Sequence, residues 1–157
     1  MIKIVPYENV YQNDIDTMMN EIASEFDAQI VNKSTHETPI VPDNYWVAIH
    51  TKTVIGTVGI MVIKNGDGIL KKMMLKKSFR GKELAIAKLL LETVMNWCEQ
   101  NDISRIYLGT MHQLKAAQLF YQKNGFKRIS QSALPKEFLK NPLDTVFFKQ
   151  DLNKLNY

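Results

Sequence analysis

Ile2 and Ile4 alternate with Lys3 and Val5 until Pro6 ends the run, a period of two that predicts a first strand. The period then changes. In NDIDTMMNEIASEFD the apolar positions Ile15, Met18, Met19, Ile22 and Phe26 fall on one helical face, with Asn13 as the expected N-cap. Ala28 to Asn44 is polar, carries Pro39 and Pro42 and shows neither period; a connection of that length is more often functional or mobile than idle. YWVAIHT and VIGTVGIMVI follow as β-rich runs, and NGDG at Asn65 to Gly68 is a hairpin signal. ILKKMML reads as a further strand whose two lysines break the alternation. From Leu84 through Ala87, Leu91, Val94 and Cys98 the spacing is helical again, which predicts a helix over Lys82 to Gln100. RIYLGT reads as a strand, LKAAQLFYQKNG as a helix closed by Gly125, FKRIS as a strand, ALPKEFLKNPLD as a loop and TVFFKQDL as a last strand. The order β-α-β-β-β-α-β-α-β-β predicts an α/β protein with a mixed, mostly antiparallel central sheet flanked by helices.

No repeat, low-complexity tract or linker interrupts the 157 residues, so a single domain spanning 1–157 is expected. MIKIVPYENV lacks the charged start and apolar stretch of a signal peptide. The longest nearly apolar run, Val54 to Ile63, is broken by Gly56, Thr57 and Gly59 and is too short to span a bilayer. A single cysteine, Cys98, excludes an internal disulfide and fits a reducing compartment, so a cytoplasmic protein without membrane contact is expected. Net charge changes the picture more. Met1 to Leu70 holds 4 Lys+Arg against 9 Asp+Glu, whereas Lys71 to Tyr157 holds 16 against 7. Such segregation suits a protein with one anionic and one cationic partner.

The basic half opens on LKKSFRGKELAIAKLLLE, where Lys76, Lys77, Arg80 and Lys82 precede a hydrophobic helix. Unpaired amides and the dipole at a helix start attract anions, and Gly81 permits close backbone approach. A phosphate cradle and a merely solvated basic loop both fit this local chemistry. GKE supplies no Ser or Thr for magnesium, and the glycines are too few for a dinucleotide fingerprint.

The arrangement MMLKKSFRGKELAIAKLL, then RIYLGT, then KAAQLFYQKNGF resembles the GNAT acetyltransferase superfamily over essentially the whole chain. In that family the helix-opening turn reads Q/R-x-x-G-x-G/A, and its amides bind the pyrophosphate of acetyl-coenzyme A. Arg80 and Ala85 match its ends, while Glu83 stands at the middle glycine. Ala117, Phe120, Tyr121, Gly125 and Phe126 reproduce the family's A-x-x-F-Y-x-x-x-G-F pattern, with Leu114 where an asparagine is usual. Read without the family, Ala117, Phe120 and Tyr121 are one apolar helix face and Gly125 an ordinary C-cap.

The resemblance implies the acyl-CoA N-acyltransferase fold, with the fourth and fifth strands splayed around the cofactor's pantetheine arm. It implies acetyl-CoA as co-substrate and transfer of its acetyl group to a primary amine by direct attack. The cofactor-binding residues implied are Met73, Met74 and Leu75 on the fourth strand, Arg80, Gly81, Lys82, Glu83, Leu84 and Ala85 in the turn, and Ala117 and Phe120 on the later helix. Tyr121 is the implied general acid for the leaving thiolate, since a phenol with a pKa of about 10 stays protonated at neutral pH. The base is not readable: His112 is as well explained as a loop residue, and His36 and His50 are isolated. No His, Cys and carboxylate spacing points to a metal. Cys98 falls in an apolar stripe and reads as core. The expected acceptor is a small-molecule or peptide amine, cationic if the acidic part (Glu21, Glu25, Asp27, Glu37) faces it, in a monomer or homodimer. The alternatives are a non-catalytic acyl-CoA sensor of the same fold and a nucleic-acid module using the lysine patch; no recognised nucleic-acid motif accompanies that patch.

Overall fold

The computed structural model describes residues 1–26, 42, 44–81, 85–138 and 140–152. Among these, the strands and α-helices follow the order read from the pattern: β1 (Ile2–Pro6), α1 (Gln12–Ala23), β2 (Asn44–His50), β3 (Thr53–Val62), β4 (Gly68–Leu75), α2 (Ile86–Gln100), β5 (Arg105–Thr110), α3 (Lys115–Lys123), β6 (Lys127–Ile129) and β7 (Val146–Asp151). The strands form a sheet in the order β1-β2-β3-β4-β5-β7-β6. β1 with β2, β2 with β3, β5 with β7 and β6 with β7 pair antiparallel, and β4 with β5 pairs parallel over Gly68 and Ile69. The sheet is therefore mixed and mostly antiparallel, as the alternation predicts.

Two local expectations change and a third is sharpened. A 3-10 turn over Asn9–Tyr11 feeds α1, which starts at Gln12 with no side-chain cap. Asn13 lies inside the first turn instead of capping it, and its carbonyl accepts the Thr17 hydroxyl at 3.1 Å. α2 starts at Ile86, not Lys82. Ala85 has φ 50°, a left-handed conformation that an α-helix excludes; Lys82, Glu83 and Leu84 lie outside the described residues. The lysines that break the alternation of β4 mark a real irregularity: Lys72 has φ 55°. Its carbonyl accepts the buried Thr57 hydroxyl at 2.6 Å, so both polar groups are satisfied.

The described residues gather into two compact units, Met1–Met61 with Lys71–Trp97, and Val62–Leu70 with Cys98–Tyr157. In the first, β3 is buried at every position from Val54 to Ile60. That explains its nearly continuous apolar run, because a strand covered on both faces has no reason to alternate. α1 turns Ile15, Met18 and Ile22 inward, and α2 turns Ile86, Leu90, Leu91 and Val94 inward. In the second unit the core centres on Ile106, Leu108, Phe147 and Phe148. Its hairpin turn has Gly66 at φ 92°, which suits glycine. Asn65 Oδ1 accepts the Asp67 amide at 2.9 Å, and the Asp67 carboxylate accepts Arg105 Nε at 3.3 Å.

Candidate active site

In the first unit the end of β4 and the turn after it form one fixed piece. The Lys76 amide donates to the Ile55 carbonyl at 2.8 Å, so Lys76 and, by the alternation of a strand, Met74 direct their backbone groups at β3. Met73 and Leu75 direct theirs to the opposite edge. There the Leu75 carbonyl accepts Nε of Arg80 at 2.9 Å. A 3-10 turn over Lys77–Phe79 brings Arg80 back to that carbonyl, with the Arg80 amide bonded to the Lys77 carbonyl at 3.2 Å. Gly81 follows at φ 146°, a backbone state that side-chain-bearing residues rarely adopt. The Ala85 amide donates to the Gly81 carbonyl at 3.3 Å, immediately before α2. The turn therefore combines a conformation reserved for glycine, a left-handed alanine and the amide end of a helix.

The remaining nitrogens of Arg80 are occupied as well. Nη1 and Nη2 donate to the two carboxylate oxygens of Glu25 at 2.7 and 2.9 Å. One helical turn earlier, Glu21 faces Lys76 at 3.6 Å. These two ion pairs flank a cleft of about 640 Å³ lined by Glu21, Ile22, Glu25, Lys76, Lys77 and Ser78. Glu21 and Glu25 are thus each paired with a cation of this segment; Asp27 and Glu37, the other acids expected to face an acceptor, lie outside the described residues.

In the second unit α3 carries Ala117, Phe120 and Tyr121, all three packed rather than exposed. The helix ends in a two-bond closure. Phe126 donates its amide to the Tyr121 carbonyl at 3.0 Å, and Gly125, at φ 96°, donates to Gln122 at 3.3 Å. The F-Y-x-x-x-G-F spacing is the spacing of this closure. It brings the Phe126 ring against Tyr121 at 5.6 Å between centroids, with Phe120 at 5.8 Å and Phe148 at 6.0 Å on other sides. The Tyr121 side chain is held by these three rings. Burial, and after it the negative charge of Asp144, push its phenol well above the ordinary 10.0, so it is fully protonated at neutral pH.

Asp144 is set by the loop before β7. Its amide donates to the Asn141 carbonyl at 2.9 Å, and the next amide, of Thr145, donates to Thr110 of β5 at 2.8 Å. Its side chain lies over Gly109: a Cβ there would come within 2.8 Å of Asp144 Cγ. His112 is exposed and donates its amide to the Thr145 hydroxyl at 3.0 Å. Leu114, in the place of the family's asparagine, is the α3 N-cap and supplies no side-chain cap; Gln118 reaches the Met111 and His112 carbonyls at 2.9 and 3.1 Å. Cys98 is fully buried, and burial pushes its thiol up to about 12. Among the described residues no cluster of His, Cys, Asp and Glu could hold a metal ion, and no helix is long and apolar enough to cross a membrane.

The model of an acetyltransferase (GNAT) domain matches residues 42–128, which includes β4, the turn after it, α2, β5 and α3. The chain belongs to the GNAT acetyltransferase family. A GNAT-family acetyltransferase from Staphylococcus aureus Mu50 is 29% identical, with a TM-score of 0.87 over 98% of this chain and all of that one. N-acetylaspartate synthetase of Danio rerio is 31% identical over 109 residues, 67% of this chain but 38% of that protein, so this GNAT chain spans well under two thirds of that relative. The fold also matches N-acetylglutamate synthase from Neisseria gonorrhoeae, solved with coenzyme A and N-acetylglutamate, at a TM-score of 0.76, 11% identity and 98% of this chain against 36% of that one.

Of the GNAT residues expected from the sequence, Met73, Met74, Leu75, Arg80, Gly81 and Ala85 lie in one continuous segment of the first unit, and Ala117, Phe120 and Tyr121 on one helix of the second. Gly109 and Asp144 carry no mark in the sequence; Gly56 reads only as a break in an apolar run, and Glu25 only as one of the acids expected to face an acceptor, not as a partner of Arg80.

Proposed function

We propose that the chain is an N-acetyltransferase that moves the acetyl group of acetyl-CoA to a primary amine of a small molecule or peptide. The observation that carries this reading is Tyr121: the family's aromatic pair is held on α3 by the Gly125 closure, with the phenol kept protonated. In the proposed reaction the cofactor diphosphate rests on the amides of the turn from Arg80 to Ala85. Outward-directed backbone groups of Met73 and Leu75 take the pantetheine arm and the thioester carbonyl; Met74, whose groups face β3, supports them instead. A fixed amide near that carbonyl stabilises the oxyanion formed when the amine attacks. The tetrahedral intermediate expels the coenzyme A thiolate, which takes the phenolic proton of Tyr121; the attacking nitrogen gives up one proton to water, and a proton from water restores the phenol, so the products are the N-acetyl amide and coenzyme A thiol. The coenzyme A seen in the Neisseria gonorrhoeae synthase supports the choice of donor.

The test is release of free coenzyme A from acetyl-CoA in the presence of a panel of amines and aminoacyl peptides. Turnover is expected with at least one acceptor. Tyr121→Phe should lower it about a hundredfold or more while cofactor affinity stays within about twofold. Cofactor binding without transfer to any amine would replace this reading by that of an acyl-CoA sensor. Unaltered turnover in the phenylalanine variant would remove Tyr121 from the chemistry.

A further inference from the structure

Arg80 opens the cofactor turn, yet every nitrogen of its guanidinium is already engaged: Nε by the Leu75 carbonyl, and Nη1 and Nη2 by the two oxygens of Glu25. This fork-to-fork geometry fixes the plane of the guanidinium as well as its position. Glu25 is itself held. Its amide donates to the Ile22 carbonyl at 3.0 Å in the turn that closes α1, and its side chain is 18% exposed. The spacing supports the pair too. Glu21 and Glu25 are four residues apart on one side of the helix end, as Lys76 and Arg80 are four apart around the turn, and they meet as two parallel ion pairs.

We propose that Glu25 is a positioning residue for acetyl-CoA: through Arg80 it fixes the Leu75 carbonyl and the turn that receives the diphosphate. This rests on the proposed acetyltransferase reading. Arg80 acts as a strut between Glu25 and the Leu75 carbonyl, and its charge is balanced by Glu25. In this reading the phosphate oxygens are met by backbone amides, and the guanidinium keeps the described start of the turn, 76–81, in place. The competing arrangement has Arg80 as a direct phosphate ligand that Glu25 merely occupies until the cofactor arrives. The two differ in sign. If Glu25 positions, losing its charge loosens the turn and weakens the cofactor. If Glu25 competes, losing its charge frees Arg80 and strengthens the cofactor.

The experiment compares the full chain with Glu25→Gln, Arg80→Gln and the double variant, reading coenzyme A affinity by calorimetry, steady-state kinetics and amide exchange over 76–81. Each single variant is expected to weaken coenzyme A on the order of fivefold, the scale of a partly exposed, well-formed ion pair. The double variant should be no weaker than the worse single one, because the two residues act as a unit. The KM for acetyl-CoA should rise with kcat nearly unchanged, and the amides of 76–81 should exchange faster in each variant without any cofactor present. Tighter binding by Glu25→Gln, additive losses, or wild-type affinity in that variant would each overturn the positioning role alone. A wild-type chain that binds no coenzyme A overturns the acetyltransferase reading, and the positioning role with it.

Discussion

Gly56 lies on β3, and a methyl group at that position would sit 2.8 Å from the Met74 carbonyl oxygen, 3.1 Å from Leu75 Cδ1 and 3.2 Å from Leu90 Cδ1. The leucine tips can turn aside. The carbonyl cannot, because its strand is pinned just beyond by the bond from the Lys76 amide to Ile55 and at Leu75 by Arg80. Gly56→Ala therefore pushes β4 outward at Met74. Alanine lowers the entropy of the unfolded chain, which stabilises by about 0.4–1 kcal/mol. Overpacking against a fixed neighbour costs about 1–3 kcal/mol. Overpacking wins, leaving a net loss of about 1–2 kcal/mol, and for a chain of this size the Tm should fall by roughly 3–8 °C.

Thermal and urea unfolding of the two proteins measure this directly. Gly66→Ala is the control: nothing lies within 4 Å of a methyl there, so its cost is the φ of 92° alone, about 1 kcal/mol. If Gly56→Ala unfolds at the wild-type temperature, β4 has slack, and the claim that Leu75 is held rigidly fails. A second readout ties the packing to the proposed chemistry. The rise in Tm produced by saturating acetyl-CoA should be smaller in Gly56→Ala than in the wild type, since the displaced peptide group lies between Met73 and Leu75.

Gly109→Ala should cost about 1–2 kcal/mol in the wild type and clearly less in an Asp144→Ala background, as denaturant titrations would show; equal costs in both backgrounds would mean that the carboxylate does not rest on Gly109. The chain should also lose stability steeply in base. Tyr45 and Cys98 are raised to about 12 and Tyr121 further, from ordinary values of 10.0, 9.0 and 10.0, with burial the largest cause in each. The unfolded chain therefore releases these protons at lower pH than the folded one, so their contribution is whole below about pH 9 and is lost as pH rises. Near pH 11 the three protons together give a slope of about −4 kcal/mol per pH unit, readable as a falling urea midpoint; a flat midpoint from pH 9 to 11.5 would contradict the burial of all three.

The alternation of strands and the three- and four-residue spacing of helices depend on neighbours in the chain, which is why every strand and helix was legible in order. The family pattern that points to Tyr121 is local too. Two of the rings that hold it, Phe120 and Phe126, are near it in the chain and the Gly125 closure is a local event of the backbone, whereas Phe148 comes from β7. What escaped was set by the meeting of distant segments. Glu25 and Arg80 are 55 residues apart, and nothing in either neighbourhood marks them as partners. Gly56 reads as a break in an apolar run and Gly109 carries no mark, because what makes each necessary, Met74 for one and Asp144 for the other, approaches from elsewhere in the chain. The start of α2 was placed too early because periodicity counts side chains and is blind to the left-handed backbone of Ala85.

Burial acts on both sides of the proposed proton transfer, and its balance decides whether Tyr121 can serve. In water a thiol loses its proton at about 8.5 and a phenol at about 10, so moving a proton from phenol to thiolate is uphill by about 2 kcal/mol. Raising Tyr121 alone would make the step worse. Cys98 shows the direction in which burial moves a thiol in this protein: it carries the group from 9.0 to about 12. A coenzyme A thiolate leaving into similarly apolar surroundings would be raised in the same direction as the buried phenol, so the transfer would stay uphill by about the 2 kcal/mol it costs in water and not more. The phenol is then useful because it remains protonated under all ordinary conditions while its partner has become basic enough to take the proton. A thiolate that departs into water keeps its low basicity and finds Tyr121 too weak an acid. The proposed transfer therefore depends on dryness shared by donor and leaving group more than on any acidity of the phenol, and the rings of Phe120, Phe126 and Phe148 supply that dryness on the Tyr121 side.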